Sequence, residues 1–215
     1  EYGGGLDARI QGIIRPGDRK VLTAPAGLDR DIPTNALCWR DDTSLAFFAG
    51  VGGDFLRVGA STIEDLPGAV AAFSIAPYTE SAGTANLVIS YGSAANISKR
   101  NSAGTHSNTG STVTAYQLEA LDDGRLVRVN ANRYQIHILP AGAADVLTGT
   151  WGGAITVGEA GRRITGLAHI GAFIVIGKED GIYTYEPTTA LMQNLTPNMP
   201  VHPDNCKGMA SIGGL

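Results

Sequence analysis

Short apolar runs rich in β-branched and aromatic residues alternate with clusters of Gly, Asn, Asp, Ser and Pro along almost the whole chain, and a sustained period of 3.6 is nearly absent. The pattern predicts an all-β protein. The clearest segment is Ala172-Phe173-Ile174-Val175-Ile176-Gly177, then Lys178-Glu179-Asp180-Gly181, then Ile182-Tyr183-Thr184-Tyr185. Its residues favour strands, and Asp-Gly supplies the positive φ of a tight hairpin turn. A second hairpin is predicted around Asp122-Asp123-Gly124, between a strand over Val113–Leu118 and one over Leu126–Val129. Further strands are expected over Tyr134–Leu139, Leu87–Tyr91 and Val70–Ile75. The stretch Ser93–Ser111 has hardly a large apolar residue beyond Ile97 and reads as an exposed loop or hairpin tip. Residues 1–33, with Gly3-Gly4-Gly5 and scattered Pro and Asp, read as an N-terminal arm or linker ahead of a β-rich region over 34–215.

One segment recurs. Gly166-Leu167-Ala168-His169-Ile170-Gly171-Ala172-Phe173 reappears as Gly208-Met209-Ala210-Ser211-Ile212-Gly213-Gly214-Leu215, about 42 residues further on. A four-stranded propeller blade repeats every ~40–45 residues, whereas helical repeats of that period need long amphipathic segments. A β-propeller-like set of antiparallel blades is therefore the expected architecture, its best-defined blade spanning about 164–205 and the next starting near 206. Strand alternation puts Gly166, Ala168 and Ile170 on one face, matched by Gly208, Ala210 and Ile212, while Leu167 and His169 face the other way. Small side chains suit first strands that crowd a common axis. The strand over Phe173–Ile176 is apolar on both faces and is expected to be covered on both, at roughly 1.5–3 kcal/mol per buried side chain. The second copy stops at Leu215, where its hydrophobic hairpin would continue, so the sequence is expected to be an incomplete portion of a longer polypeptide.

Composition narrows the function. Glycine accounts for 29 of 215 residues, and no apolar run approaches the ~18 residues of a membrane helix, so membrane insertion is not expected. With 16 basic against 20 acidic residues the net charge is −4, which gives no general attraction to nucleic acid. Cys38 and Cys206 stand far apart and in no metal-binding spacing, and read as buried free thiols.

The run Ile164-Thr165-Gly166-Leu167-Ala168-His169-Ile170 leading to Val175-Ile176-Gly177-Lys178-Glu179-Asp180-Gly181-Ile182-Tyr183 resembles β-propeller-like structural proteins of tailed bacteriophages, where an "ITGLA" strand leads to a "VGKEDGLY" hairpin. His202-Pro203-Asp204-Asn205-Cys206-Lys207-Gly208-Met209 is similar to the "PDNGRGM" approach to the next blade, with Cys206 where that pattern has glycine. The resemblance covers roughly 151–215. It implies a virion component of the tail or its tip, made in the host cytoplasm. Its implied partners are other virion proteins, further copies of itself and a host-surface glycan.

A search for chemistry returns little. His106, His137, His169 and His202 are dispersed, without HExxH or His-x-His, and His169 aligns with Ser211, as a tolerant polar position would. No nucleophile elbow, phosphate loop or dinucleotide-binding unit is present. Asp122-Asp123 and Glu179-Asp180 precede glycine and read as turn residues; Asp41-Asp42 is a third such pair. Trp39 and Trp151 read as packing residues, with sugar stacking by Trp151 the competing use. The expectation is a non-enzymatic structural protein without cofactor or metal. Its key residues are structural: Gly166, Ala168, Ile170, Phe173, Val175, Gly181, Ile182 and Tyr183, with Gly208, Ala210 and Ile212 in the second copy. A carbohydrate-binding or glycan-processing propeller is the alternative, and an ordinary β-sandwich with an accidental repeat is a third.

Overall fold

A computed structural model describes residues 6–10, 13–16, 34–40, 46–51, 54–58, 63–65, 72–197, 199–202 and 209, with side chains described from Ala72 onward. Two units are distinguished, Glu1–Arg30 and Asp31–Leu215. In the first, β1 (Leu6–Ile10) pairs antiparallel with β2 (Ile13–Pro16).

The second unit is a succession of four-stranded antiparallel sheets. The first sheet runs β3 (Thr34–Arg40), β4 (Ala46–Val51), β5 (Asp54–Val58), β6 (Ile63–Asp65). The third runs β13 (Gln117–Ala120), β14 (Leu126–Val129), β15 (Gln135–Leu139), β16 (Ile155–Thr156), and the fourth β17 (Ile164–Ile170), β18 (Phe173–Lys178), β19 (Gly181–Glu186), β20 (Leu191–Asn194). Each is a plain meander. The second sheet instead has the order β7 (Ser74–Thr79), β8 (Ala85–Ser90), β10 (Ser98–Asn101), β11 (His106–Ser107). Its skipped segment, β9 (Gly92–Asn96), pairs outside the sheet with β12 (Thr114–Ala115). Gly92, at φ 63°, makes that departure possible directly after the buried Tyr91.

The first strands of successive sheets are neighbours, β3 beside β7, β7 beside β13, β13 beside β17. Among the described strands no backbone ladder joins them, and side chains link β7 to β13 and β13 to β17. The Leu118 amide donates to Ser74 Oγ (2.8 Å), and Gln117 Nε2 donates to the Leu167 carbonyl (3.3 Å). Both faces of the third sheet are buried. Leu118, Leu126 and Leu139 pack against Ala76, Tyr78, Val88 and Ile97 of the second sheet and its approach to β10. On the opposite face Val127, Val129 and Ile136 pack against Leu167, Ile174, Ile176, Tyr183 and Tyr185 of the fourth. Sheets stacked face to face, with first strands adjacent, are the arrangement expected from the repeat, and not the two layers of a sandwich.

Three segments differ from expectation. Ser93–Ser111 is not a loop: it holds β10 and β11, and Ile97, Ser98 and Arg100 are buried. Its polar composition conceals a strand because the buried positions are filled by Ser98, whose hydroxyl pairs with that of Tyr91 (2.5 Å), and by a guanidinium instead of hydrocarbon. Val113–Leu118 is two short strands, β12 and β13, that belong to different sheets. The strand expected over Val70–Ile75 is centred later, on Ser74–Thr79; residues 70 and 71 lie outside the described residues.

Candidate functional site

The fourth sheet carries most of the residues singled out from sequence. Its register places Ile170 opposite Phe173, Ala168 opposite Val175, and Gly166 opposite Gly177, which is opposite Ile182. Gly166, Ala168, Ile170, Phe173, Val175 and Ile182 therefore share one face, and Tyr183 lies on the other, in the core toward the third sheet. Gly181 begins β19 at φ 151°, and a Cβ there would stand 2.8 Å from the Thr196 carbonyl oxygen, so conformation and space both demand glycine. Gly208, Ala210 and Ile212 lie outside the described residues, as does Cys206; Cys38 and Trp39 are on β3, whose side chains are not described.

Met209 is described, and its position tests the repeat. A Cβ on Gly166 would come within 2.5 Å of Met209 Sδ, and one on Gly177 within 2.8 Å. Met209 thus rests on the fourth sheet as Leu167, its counterpart in the earlier copy, rests against the third. Small residues do not recur on every first strand, however. On β13 the corresponding face carries Gln117 and Glu119, whose longer side chains reach across to β17.

Phe173 departs from the expected coverage, and Ile170 opposite it is exposed as well. Ile170 is 71% and Phe173 45% exposed, and both flank the turn at Gly171 at one end of the sheet. The same face continues across this end: Ile174 lies opposite Tyr185, so alternation puts Phe173 and Glu186 together on the other face, and Glu186 lies opposite Leu191, which is 49% exposed. Three large apolar side chains thus stand on one face, interrupted by a single carboxylate that accepts from Thr189 Oγ1 (2.7 Å). By contrast, Ile174 and Ile176 on the opposite face are fully buried.

Beside this row lies a charged cluster that the sequence did not disclose. His169, the residue before Ile170, points toward the third sheet and is buried, with Nδ1 2.7 Å from Glu119 Oε1 and Nε2 3.2 Å from Asp122 Oδ1. Burial opposes the imidazolium, but the two carboxylates outweigh it and hold the ring above its ordinary titration range. Asp122 is accordingly more than a turn residue, while Asp123 stays local, paired with Arg125 and held below the usual carboxylate range chiefly by that guanidinium. The two carboxylates meet opposite edges of the ring and do not converge on a common point. Among the described residues no group of three or more His, Cys, Asp or Glu could hold a metal ion. A ring occupied on both nitrogens is a charge clamp and has no free lone pair for base catalysis.

At the opposite end of the sheet the Lys178-Glu179-Asp180 turn fastens the chain that leads into β17. Lys178 is fully buried, its ammonium donating to the Val157 carbonyl and, at 2.7 Å, to that of Glu159; burial pushes its titration down. Glu179 Oε2 accepts from the Arg163 amide (2.9 Å), and Asp180 Oδ2 from Tyr183 Oη (3.0 Å). The motif is a clamp on 157–163. Trp151 packs against the core between the second and third sheets, with the Arg128 guanidinium 5.1 Å over its ring, which is the packing use expected of it.

No family model and no curated protein matches the chain. Solved structures do. Virginiamycin B lyase from Staphylococcus aureus is 9% identical, with a TM-score of 0.58 over 80% of this chain and 58% of its own. The WD40 domain of Neurospora crassa Pan2 is 14% identical, with a TM-score of 0.57 over 77% and 52%. The fold is propeller-like. BBS1N, from its complex with ARL6DN, also matches, at 14% identity and a TM-score of 0.52 over 74% of this chain and 50% of that one. At such identities the likeness extends to the propeller fold alone, and the chain spans about half the length of these structures.

Proposed function

We propose that this propeller is a non-enzymatic structural component of a tailed-phage virion, placed in the tail or tail tip and acting through subunit assembly, with host-surface contact as a further role. The observation that supports the reading is the apolar row Ile170, Phe173 and Leu191, which stands exposed among the described residues on a sheet whose opposite face is a closed core. Apolar side chains grouped on an exposed surface fit burial against a partner subunit. The finer assignment is supported by the phage-like sequence over 151–215, whose Lys-Glu-Asp-Gly turn has the structural role just described. Charge clamps and packed aromatics fit a scaffold.

Two measurements test this. Antibodies against the chain should label the tail of intact phage particles; particles that lack the chain would overturn the virion assignment. In solution, Phe173→Asp should weaken self-association or binding to a neighbouring tail protein at least about tenfold in sedimentation experiments, the cost of placing a charge in an apolar contact. Unchanged association in that variant would remove the row from the interface.

A further inference from the structure

The geometry at His169 points to a proton-operated clasp between the third and fourth sheets, one that does not depend on what the chain assembles with. We propose that the imidazolium ion bridging Glu119 and Asp122 holds the end of β17 to the turn after β13, and that loss of its proton releases this end. The argument rests on donor count. Both ring nitrogens face carboxylate oxygens, at 2.7 and 3.2 Å. Only the charged ring has two N–H donors; a neutral ring has one, and must turn a lone pair toward the other carboxylate. The bridge can thus be complete only in the protonated state. His169 is buried and Glu119 half-buried, whereas Asp122 is exposed, so once the proton has gone water can relieve the Asp122 side and the penalty falls on the Glu119 contact.

The groups around the ring support this assignment. Glu119 comes from β13 and Asp122 from the turn that follows it; the adjacent Asp123 and Arg125 neutralise each other at 2.5 Å. On the fourth sheet the cross-strand row from His169 runs through Ile174, Tyr185 and Met192, and Tyr185 supplies the only ionisable group in that row. The carboxylates raise the histidine's titration above the value of 6.5 that it has when unfolded. A group of that kind gives its full stabilisation below the unfolded value and loses it as pH rises through the folded one. The clasp is therefore fully closed below the unfolded value of 6.5 and opens as pH rises through the raised folded one.

The test is a histidine-resolved NMR titration of the full chain from about pH 5 to about pH 9, a window that brackets the ordinary histidine range. The His169 signals are assigned by their loss in His169→Gln. Expected are a titration above 6.5 for His169 and a downward shift of it in Glu119→Gln and in Asp122→Asn. The thermal midpoint of the native chain should also fall relative to that of His169→Gln as pH rises through the same range. A His169 titration at or below 6.5, or one unmoved by both carboxamide variants, overturns the clasp. Should His169→Gln fail to fold, the two carboxamide variants still decide, because each keeps the size of the side chain and removes only its charge.

Discussion

Single residues set the local tolerances of this chain. Gly181→Ala imposes a side chain on a backbone of φ 151° and against the Thr196 carbonyl oxygen. It should cost about 1–3 kcal/mol from strain alone, read as a lower urea midpoint with an unchanged slope. Lys178→Met removes the donor shared by the Val157 and Glu159 carbonyls, and should cost about 1–3 kcal/mol at neutral pH by the same measurement. These two positions differ in how they are written in the sequence. The glycine is legible because Asp-Gly between two β-branched runs has few other uses. The lysine is not, because a charged residue beside a turn reads as solvated, and only the carbonyls of a segment about twenty residues earlier in the chain make its burial tolerable. His169 is hidden for the same reason: its partners lie on another sheet, some fifty residues earlier.

At the level of strands and sheets, the row on the fourth sheet separates folding from association. Ile174→Ala empties a fully buried position in the core with the third sheet, and should lower stability by about 2–5 kcal/mol. Phe173→Ala, one residue away but on the exposed face, should change the urea midpoint by far less while weakening association. Equal losses of stability would mean that Phe173 belongs to the core. The sequence made β17, β18 and β19 readable because alternation and turn chemistry agree there. It concealed β10, where Ser98, Lys99 and Arg100 occupy a strand in the middle of the second sheet. Lys99 is held there by Glu80 (2.6 Å) and Asp145 (3.0 Å), partners from outside the strand. Polar residues satisfied from a distance leave no local periodicity.

For the molecule as a whole, sheets built from consecutive residues and joined through shared cores should open in order of their coverage. Amide exchange should be slowest in β8, β14 and β18, which lie inside their sheets, and faster in the two-residue strands β11 and β16 at the edges. Uniform protection across each sheet would contradict that ranking. The propeller architecture was legible from the recurrence of one strand at blade distance, and Met209, the described residue of the second copy, is seated on Gly166. The crowding argument behind it fits Gly166, where a Cβ would meet Met209, and fails on β13, where Gln117 and Glu119 reach outward to the next sheet. Close approach is thus one of two ways in which adjacent first strands are joined here.

The detour of β9 to pair with β12 lets the second sheet close its own ladder from β8 directly to β10. Length added in the exposed turn at 108–110, between β11 and β12, would enlarge an outrigger and leave the frame that carries it undisturbed. A fluorescent or affinity module spliced into that turn should leave the β8–β10 ladder in place, read as an unchanged urea midpoint.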